Sequence, residues 1–239
     1  MCGRYASTAD QVVLLDAFDI PREQADDPLP PSWNLAPTDQ APVVVARVPK
    51  DDPDAEPARQ LRNLRWGLVP SWAKDPSVGS RMINARAETV ATKPAFRRPF
   101  ASRRALVPAA GFFEWIPQTP VAGGKPVKQP YFIHPTDGNL FAFAGIFDFW
   151  RPAPDTPWLT TFSIITTTAT DDLGHLHDRM PMTVAEPLWR DWLDPRVGAD
   201  QAVTLMAAPE PGTLATYPVS RAVNSVRNNG PELIQQVSL

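Results

Sequence analysis

The amino-acid sequence predicts an α+β fold: a single compact domain, residues 2–239, with a curved, barrel-like, mostly antiparallel β core and peripheral helices. Three observations predict it. Runs rich in aromatic and β-branched residues recur at 43–48, 61–68, 105–116, 131–134, 140–149 and 160–168, which is the signature of strands. Helical spacing is confined to short stretches at 9–18, 85–92, 186–193 and 200–207. Proline supplies 29 of 239 residues, about 12% against a usual ~5%, and it interrupts long helices.

Each element has its own reason. The 9–18 helix (ADQVVLLDAF) follows Ser7 and Thr8, either of which suits an N-cap. Residues 21–42 are proline-rich and read as loop. The run 43–48 (VVVARV) is the first strand. The acidic, proline-broken stretch 49–58 (PKDDPDAEPA) is an exposed loop. Residues 61–68 form the next strand, and 85–92 a short helix that ends before Pro94. Four later runs complete the sheet, and 186–193 and 200–207 close the chain as helices. Strands with attached helices define the α+β class.

Several function classes are excluded or disfavoured. No run of ~18 apolar residues is present, so no membrane-spanning helix is expected. The start MCGRYASTAD lacks the apolar core of a secretory signal, which predicts a cytoplasmic protein. Monomer is the default expectation. One cysteine and three histidines cannot supply a four-ligand zinc site of usual spacing, and no metal or cofactor is expected. The net charge is −3, yet Arg81, Arg86, Lys93, Arg97, Arg98, Arg103 and Arg104 face only Glu88 within 81–104. That stretch carries +6 and the remainder −9. Such a patch suits a polyanion, or it is an ordinary solvated surface.

Cys2 is the most reactive candidate. Initiator methionine is normally removed before a small residue, which would leave Cys2 at the N-terminus. An α-amine has a pKa near ~8 rather than the ~10.4 of lysine, so much of it is neutral near pH 7. A neutral amine attacks an aldehyde to form a Schiff base. The adjacent thiol then closes on the imine carbon as a five-membered thiazolidine. Only an N-terminal cysteine supplies this 1,2-aminothiol. A cysteine at position 2 is more often an accident, so the neighbouring motifs must decide.

Those motifs run in order along the chain: Met1-Cys2-Gly3-Arg4-Tyr5, NLAPT at 34–38, WGLVPSW at 66–72, NARAET at 84–89, GFFEW at 111–115, HDRMP at 177–181 and VNSVRNNGPEL at 223–233. Together the sequence resembles the SRAP family (SOS-response-associated peptidase, also called abasic site processing protein). Trp33 and Phe113 stand where tyrosine is common in that family, which keeps a ring and loses a hydroxyl. The resemblance implies a barrel-like α+β domain with a groove for single-stranded DNA containing abasic sites. It implies that Cys2 bonds the lesion covalently, Asn84 orients Cys2 or the opened sugar, Glu114 is the general acid/base, and His177 moves a proton at the sugar oxygens.

The chemistry fits those roles. Opening the abasic hemiacetal needs proton transfer at O4′, within the range of a histidine. Dehydration of a carbinolamine needs an acid; a glutamate between Phe113 and Trp115 could serve if an apolar pocket raises its pKa, the alternative being a strand carboxylate paired with an arginine. Arg4, Arg86 and Arg179 lie within two residues of proposed catalytic positions and suit flanking phosphates. Trp72 and Trp115 suit base stacking, Asn34 and Pro37 are expected on the loop facing Cys2, and Trp66 is read as core. His134 and His175 are read as structural. Two other readings compete: a thiol (auto)peptidase using Cys2, and a non-catalytic single-stranded-DNA-binding protein using the 81–104 patch.

Overall fold

The computed structural model describes residues 2–49, 51–118, 127–169 and 176–239. His175 and Met1 therefore lie outside the described residues. Twelve strands are present among the described residues: β1 (Tyr5–Ser7), β2 (Ser32–Leu35), β3 (Gln40–Arg47), β4 (Ala58–Trp66), β5 (Asn84–Arg86), β6 (Arg104–Ala109), β7 (Gly111–Gln118), β8 (Val127–Pro135), β9 (Phe141–Trp150), β10 (Leu159–Thr168), β11 (Arg179–Pro181) and β12 (Leu214–Pro218). The helices are short: α1 (Gln11–Ala17), α2 (Arg97–Ser102), α3 (Trp189–Leu193) and α4 (Ala199–Val203). No helix among these residues is long and apolar enough to cross a membrane.

A closed ring of five strands forms the centre. Strands β4, β3, β6, β9 and β10 pair in that order, and β10 returns to β4. Among the named strands, only the contacts of β10 with β4 and β5 are parallel. A second sheet runs β12-β8-β7-β1-β2. The period-2 alternation of strands explains how the ring serves two cores. Ala41, Val43, Val45, Ala105 and Val107 pack with Tyr5 and Phe112 of the second sheet. Their neighbours Val44 and Leu106 pack with Leu14, Phe100 and Trp192 of the helices.

The N-terminal residues are tied down within this second sheet. Strand β1 lies between β2 and β7, with Tyr5 opposite both Leu35 and Phe112. Phe113 N–H donates to Arg4 C=O at 3.0 Å, and Ala110 N–H to Ala6 C=O at 2.8 Å. Gly111 is required at the start of β7, because an added Cβ would lie 2.3 Å from the Phe132 ring and 2.6 Å from Ile133 O. Gly67 adopts φ +119°, and a Cβ there would lie 2.6 Å from Gly79 O, so the WGLVP turn admits no side chain.

Two local expectations change. The helix expected at 85–92 is a strand followed by turns. Ile164 N–H donates to Ile83 C=O and Ala87 N–H to Thr166 C=O, and a short isolated helix cannot outcompete that ladder. The first helix is capped by Asp10, whose side chain accepts from Val13 N–H at 2.9 Å, rather than by Ser7 or Thr8; Ser7 belongs to β1. Helix α2 contains Pro99. A proline in the first turn removes an N–H that has no partner there anyway.

The basic stretch divides. Arg81, Arg86, Lys93, Arg97 and Arg98 are exposed. Arg103 pairs with Asp148. Arg104 is buried and donates to the carbonyls of Phe100, Ala101, Trp192, Asp194 and Val197. It holds the ends of α2 and α3 and contributes nothing to a surface. Burial lowers its pKa to about 10, so it stays charged at pH 7.

Candidate active site

Cys2, Asn84 and Glu114 come from three separate segments and meet between the ring and the second sheet. Cys2 is fully buried in the full chain, among residues that include Tyr5, Trp66 and Ile164. Asn84 opens β5, opposite Ile164 of β10. Its Nδ2 donates to the Cys2 carbonyl at 2.7 Å. Its Oδ1 is buried and has no hydrogen-bond partner among the described residues. Glu114 follows Phe112 and Phe113 on β7. Phe112 faces the ring and Phe113 faces the opposite cluster, so alternation turns Glu114 to the ring side with Cys2.

The electrostatics link these groups. Glu114 is 4% exposed, and burial raises its pKa from 4.5 to about 7. Near neutral pH it can therefore hold or release a proton. Burial, and then the negative charge of Glu114, push the Cys2 thiol well above its ordinary range. Sulfur is thus held as neutral thiol while Glu114 is ionised. Burial also depresses the pKa of His177. Two contacts at His177 Nδ1 demand opposite states. Arg179 N–H approaches at 3.0 Å and needs a lone pair, whereas Asp178, at 2.7 Å, needs a proton there. Asp178 is largely exposed and water competes for its charge, so the neutral ring is favoured and the proton sits on Nε2.

A cleft of about 510 Å³ gives access to this region. Arg4, Glu114, Trp115, Lys128, His177 and Asn224 line it. Arg4 Nη1 donates to Asn34 Oδ1 at 2.7 Å and to Val223 C=O at 3.0 Å, and its guanidinium lies 5.8 Å from the Trp115 ring centre. The larger cleft of the molecule, about 1040 Å³, lies elsewhere, beside α1 and the β8–β9 turn.

The remaining expected residues occupy varied places. Asn34 is buried, and its Nδ2 reaches the carbonyls of Val223, Ser225 and Asn228; it anchors the C-terminal segment. Pro37 is half-buried beside Thr38 at φ 78°. Arg86 is exposed at the end of β5. Arg179 makes a two-pronged pair with Glu88, at 2.6 and 3.0 Å, and also reaches Thr166 C=O. Trp72 is 64% exposed. None of Pro37, Trp72, Arg86 and Arg179 is among the residues lining the cleft. Trp66 is core, with Nε1 donating to Ile83 C=O at 2.9 Å. His134 stacks on Phe132 at 5.7 Å, as a structural histidine does.

Two lining residues carried no role in the sequence. Lys128 sits on β8, the hairpin partner of the GFFEW strand, opposite Pro117. Asn224 lies within VNSVRNN. The signal for Lys128 was its place in the strand that follows GFFEW; for Asn224 it was the motif itself.

The family profile described as SOS response associated peptidase (SRAP) matches residues 1–226.

This chain belongs to the SRAP family.

Curated SRAP relatives are similar over nearly the full chain. The abasic site processing protein YoqW of Bacillus subtilis (strain 168) is 36% identical over 236 residues, covering 98% of this chain and 99% of its own. YoaM of the same organism, also named an abasic site processing protein, is 37% identical over 235 residues, covering 98% and 97%. The abasic site processing protein HMCES of Gallus gallus is 34% identical over 274 residues, covering 100% of this chain and 79% of its own. Among solved structures, a Bacteroides thetaiotaomicron protein superposes with TM-score 0.79 at 23% identity, covering 99% of this chain and 100% of that one. A phage-related protein from Bordetella bronchiseptica does so with TM-score 0.69 at 29% identity, covering 92% and 95%. The first of these speaks for the fold alone.

Proposed function

We propose that this SRAP protein processes abasic sites in single-stranded DNA, and that it does so by forming a thiazolidine crosslink through Cys2. The names of its relatives support the abasic-site reading. The observation that carries the crosslink is the meeting of Cys2, Asn84 and Glu114. Removal of Met1 gives Cys2 a free α-amine, and Asn84 holds the Cys2 carbonyl at 2.7 Å so that nitrogen and sulfur face one carbon.

The steps balance. His177, in its imidazolium form, gives its Nε2 proton to O4′ as the hemiacetal opens, and the Nε2 lone pair so freed takes the C1′ hydroxyl proton as C1′ becomes the aldehyde. The neutral Cys2 amine adds to C1′, and its proton moves to the oxygen, giving a carbinolamine. Protonated Glu114, with its pKa near 7, donates to that hydroxyl; water leaves and an iminium remains. The thiol adds to C1′, the C–S bond forms, and the thiol proton returns to the Glu114 carboxylate. The iminium nitrogen becomes a neutral secondary amine. One aminothiol and one aldehyde give one thiazolidine and one water. Closure removes the iminium through which β-elimination would break the strand.

A peptidase would need Cys2 as a thiolate, and burial works against that form. The neutral thiol suits addition to an iminium better than attack on an amide. The deciding experiment is a denaturing gel with an oligonucleotide carrying one abasic site. Wild type gives a heat-stable adduct, and Cys2→Ser gives none, while retaining lyase activity through its amine. An equal adduct from Cys2→Ser, or from protein with an acetylated terminus, overturns the reading.

A further inference from the structure

Asn224 lines the cleft, and the chemistry of its neighbour fixes which way its amide faces. Trp115 Nε1 lies 2.7 Å from Asn224 Oδ1. An indole N–H only donates, so the atom facing it is the amide oxygen. The NH₂ group is therefore turned away from the indole. Its two donors have no partner among the described residues, although Asn224 is exposed. An exposed amide ordinarily serves water alone. Here it shares one cleft with Arg4 and Lys128, and Lys128 makes no ion pair among the described residues.

The segment carrying Asn224 is firmly held. Asn224 ends a 3-10 turn, Arg221–Asn224, capped by the Ser220 hydroxyl accepting from Ala222 N–H. The preceding Val223 is buried, and its carbonyl accepts from Arg4 and from Asn34. Asn34 Nδ2 also reaches Ser225 and Asn228 carbonyls at 2.9 Å each. Asn228 Nδ2 closes back on Ala222 C=O at 2.8 Å, and Trp33 N–H donates to Asn229 Oδ1 at 2.7 Å. Elements far apart in sequence thus fix one amide at the cleft wall. Preorganised donors lose less freedom on binding than mobile ones.

We infer that Asn224 contacts the nucleic acid, its NH₂ donating to a phosphodiester oxygen of the strand lying across Trp115. The ligand's identity rests on the proposed function; the donor's orientation does not. Arg4 and Lys128, opposed by Glu114 among the lining residues, draw an anionic acceptor to this cleft.

The test uses a single-stranded oligonucleotide carrying a tetrahydrofuran abasic analogue, which has no aldehyde and cannot crosslink. Affinity is read by fluorescence anisotropy, and the crosslinking rate at saturating DNA is read on the true abasic strand. Asn224→Ala removes acceptor and donors together, and its affinity falls roughly tenfold, the lower end for one hydrogen bond to a charged acceptor. Asn224→Asp keeps an acceptor for Trp115 but sets a carboxylate against phosphate, and its affinity falls about tenfold or more. In both variants the crosslinking rate at saturating DNA falls by a smaller factor than the affinity does, a loss carried mainly by binding. Wild-type affinity in Asn224→Asp, or affinity within about twofold of wild type in Asn224→Ala, overturns the inference. Should Asn224→Ala fail to fold, Asn224→Asp decides, since it preserves the indole bond. Wild-type protein that forms no adduct would sink the Cys2 chemistry while the affinity ranking still judges Asn224.

Discussion

Two clefts among the described residues differ in a way that size conceals. The larger, about 1040 Å³, is walled by Phe18 and Trp189 and rimmed by Asp16, Asp137, Glu186 and Glu210, with no lysine or arginine in its lining. The smaller, about 510 Å³, brings Arg4 and Lys128 beside a glutamate whose pKa is raised to about 7 and a histidine whose pKa is lowered. Volume measures what fits. Shifted proton affinities among converging side chains mark a candidate site for chemistry. A polyanion is repelled by the first cleft and drawn to the second.

The contrast can be broken most sharply at Glu114. Glu114→Gln keeps the shape and removes the proton, and adduct formation should slow by ~10²–10⁴-fold, the usual worth of a general acid/base. In wild type the rate should fall as pH rises through about 7, because Glu114 loses its proton there. That alkaline limb should vanish in Glu114→Gln. A wild-type rate in the variant would remove Glu114 from the mechanism.

The same shift has a stability counterpart. A carboxyl whose folded pKa lies above its unfolded 4.5 stabilises the fold fully below 4.5, and that contribution is lost as pH rises through about 7. Glu114→Gln, neutral throughout, should therefore gain on wild type between pH 5 and pH 8 by up to about 3 kcal/mol. Urea unfolding at the two pH values measures it, and a gain that shrinks with pH contradicts the burial of this carboxyl. The smallest effect is expected at the larger cleft. Asp16→Asn with Glu186→Gln should leave adduct formation within about twofold of wild type, since charges far from the lesion act only through a screened field. A large loss there would place DNA across that cleft as well.

The sequence made some of this legible and hid the rest for definite reasons. Strands carrying long apolar runs, such as β9 and β10, declared themselves. Three-residue strands did not: β1, β5 and β11 are held by pairing with distant partners, which no local pattern reports. The seven motifs led to Cys2, Asn84, Glu114 and His177, and a hydrogen bond joins two of these. Charge counting misread Arg104, because composition cannot tell an exposed guanidinium from one that caps two helices. Asn34 illustrates the converse. Its motif suggested the loop facing Cys2; the residue lies on β2, and its amide grips the C-terminal segment.

Strand β10 carries two parts of the site on opposite edges. Along one edge Ile164 to Thr166 pair with Asn84 to Arg86, and along the other Thr166 to Thr168 pair with Pro181 to Arg179. The Glu88–Arg179 pair ties the two flanks together beside it. An inserted or deleted codon within 164–168 would invert the side-chain parity of the strand and displace Asn84 and the His177 segment together. The site should thus tolerate drift in its exposed loops, such as 51–57, while these five positions remain closed to any change in length.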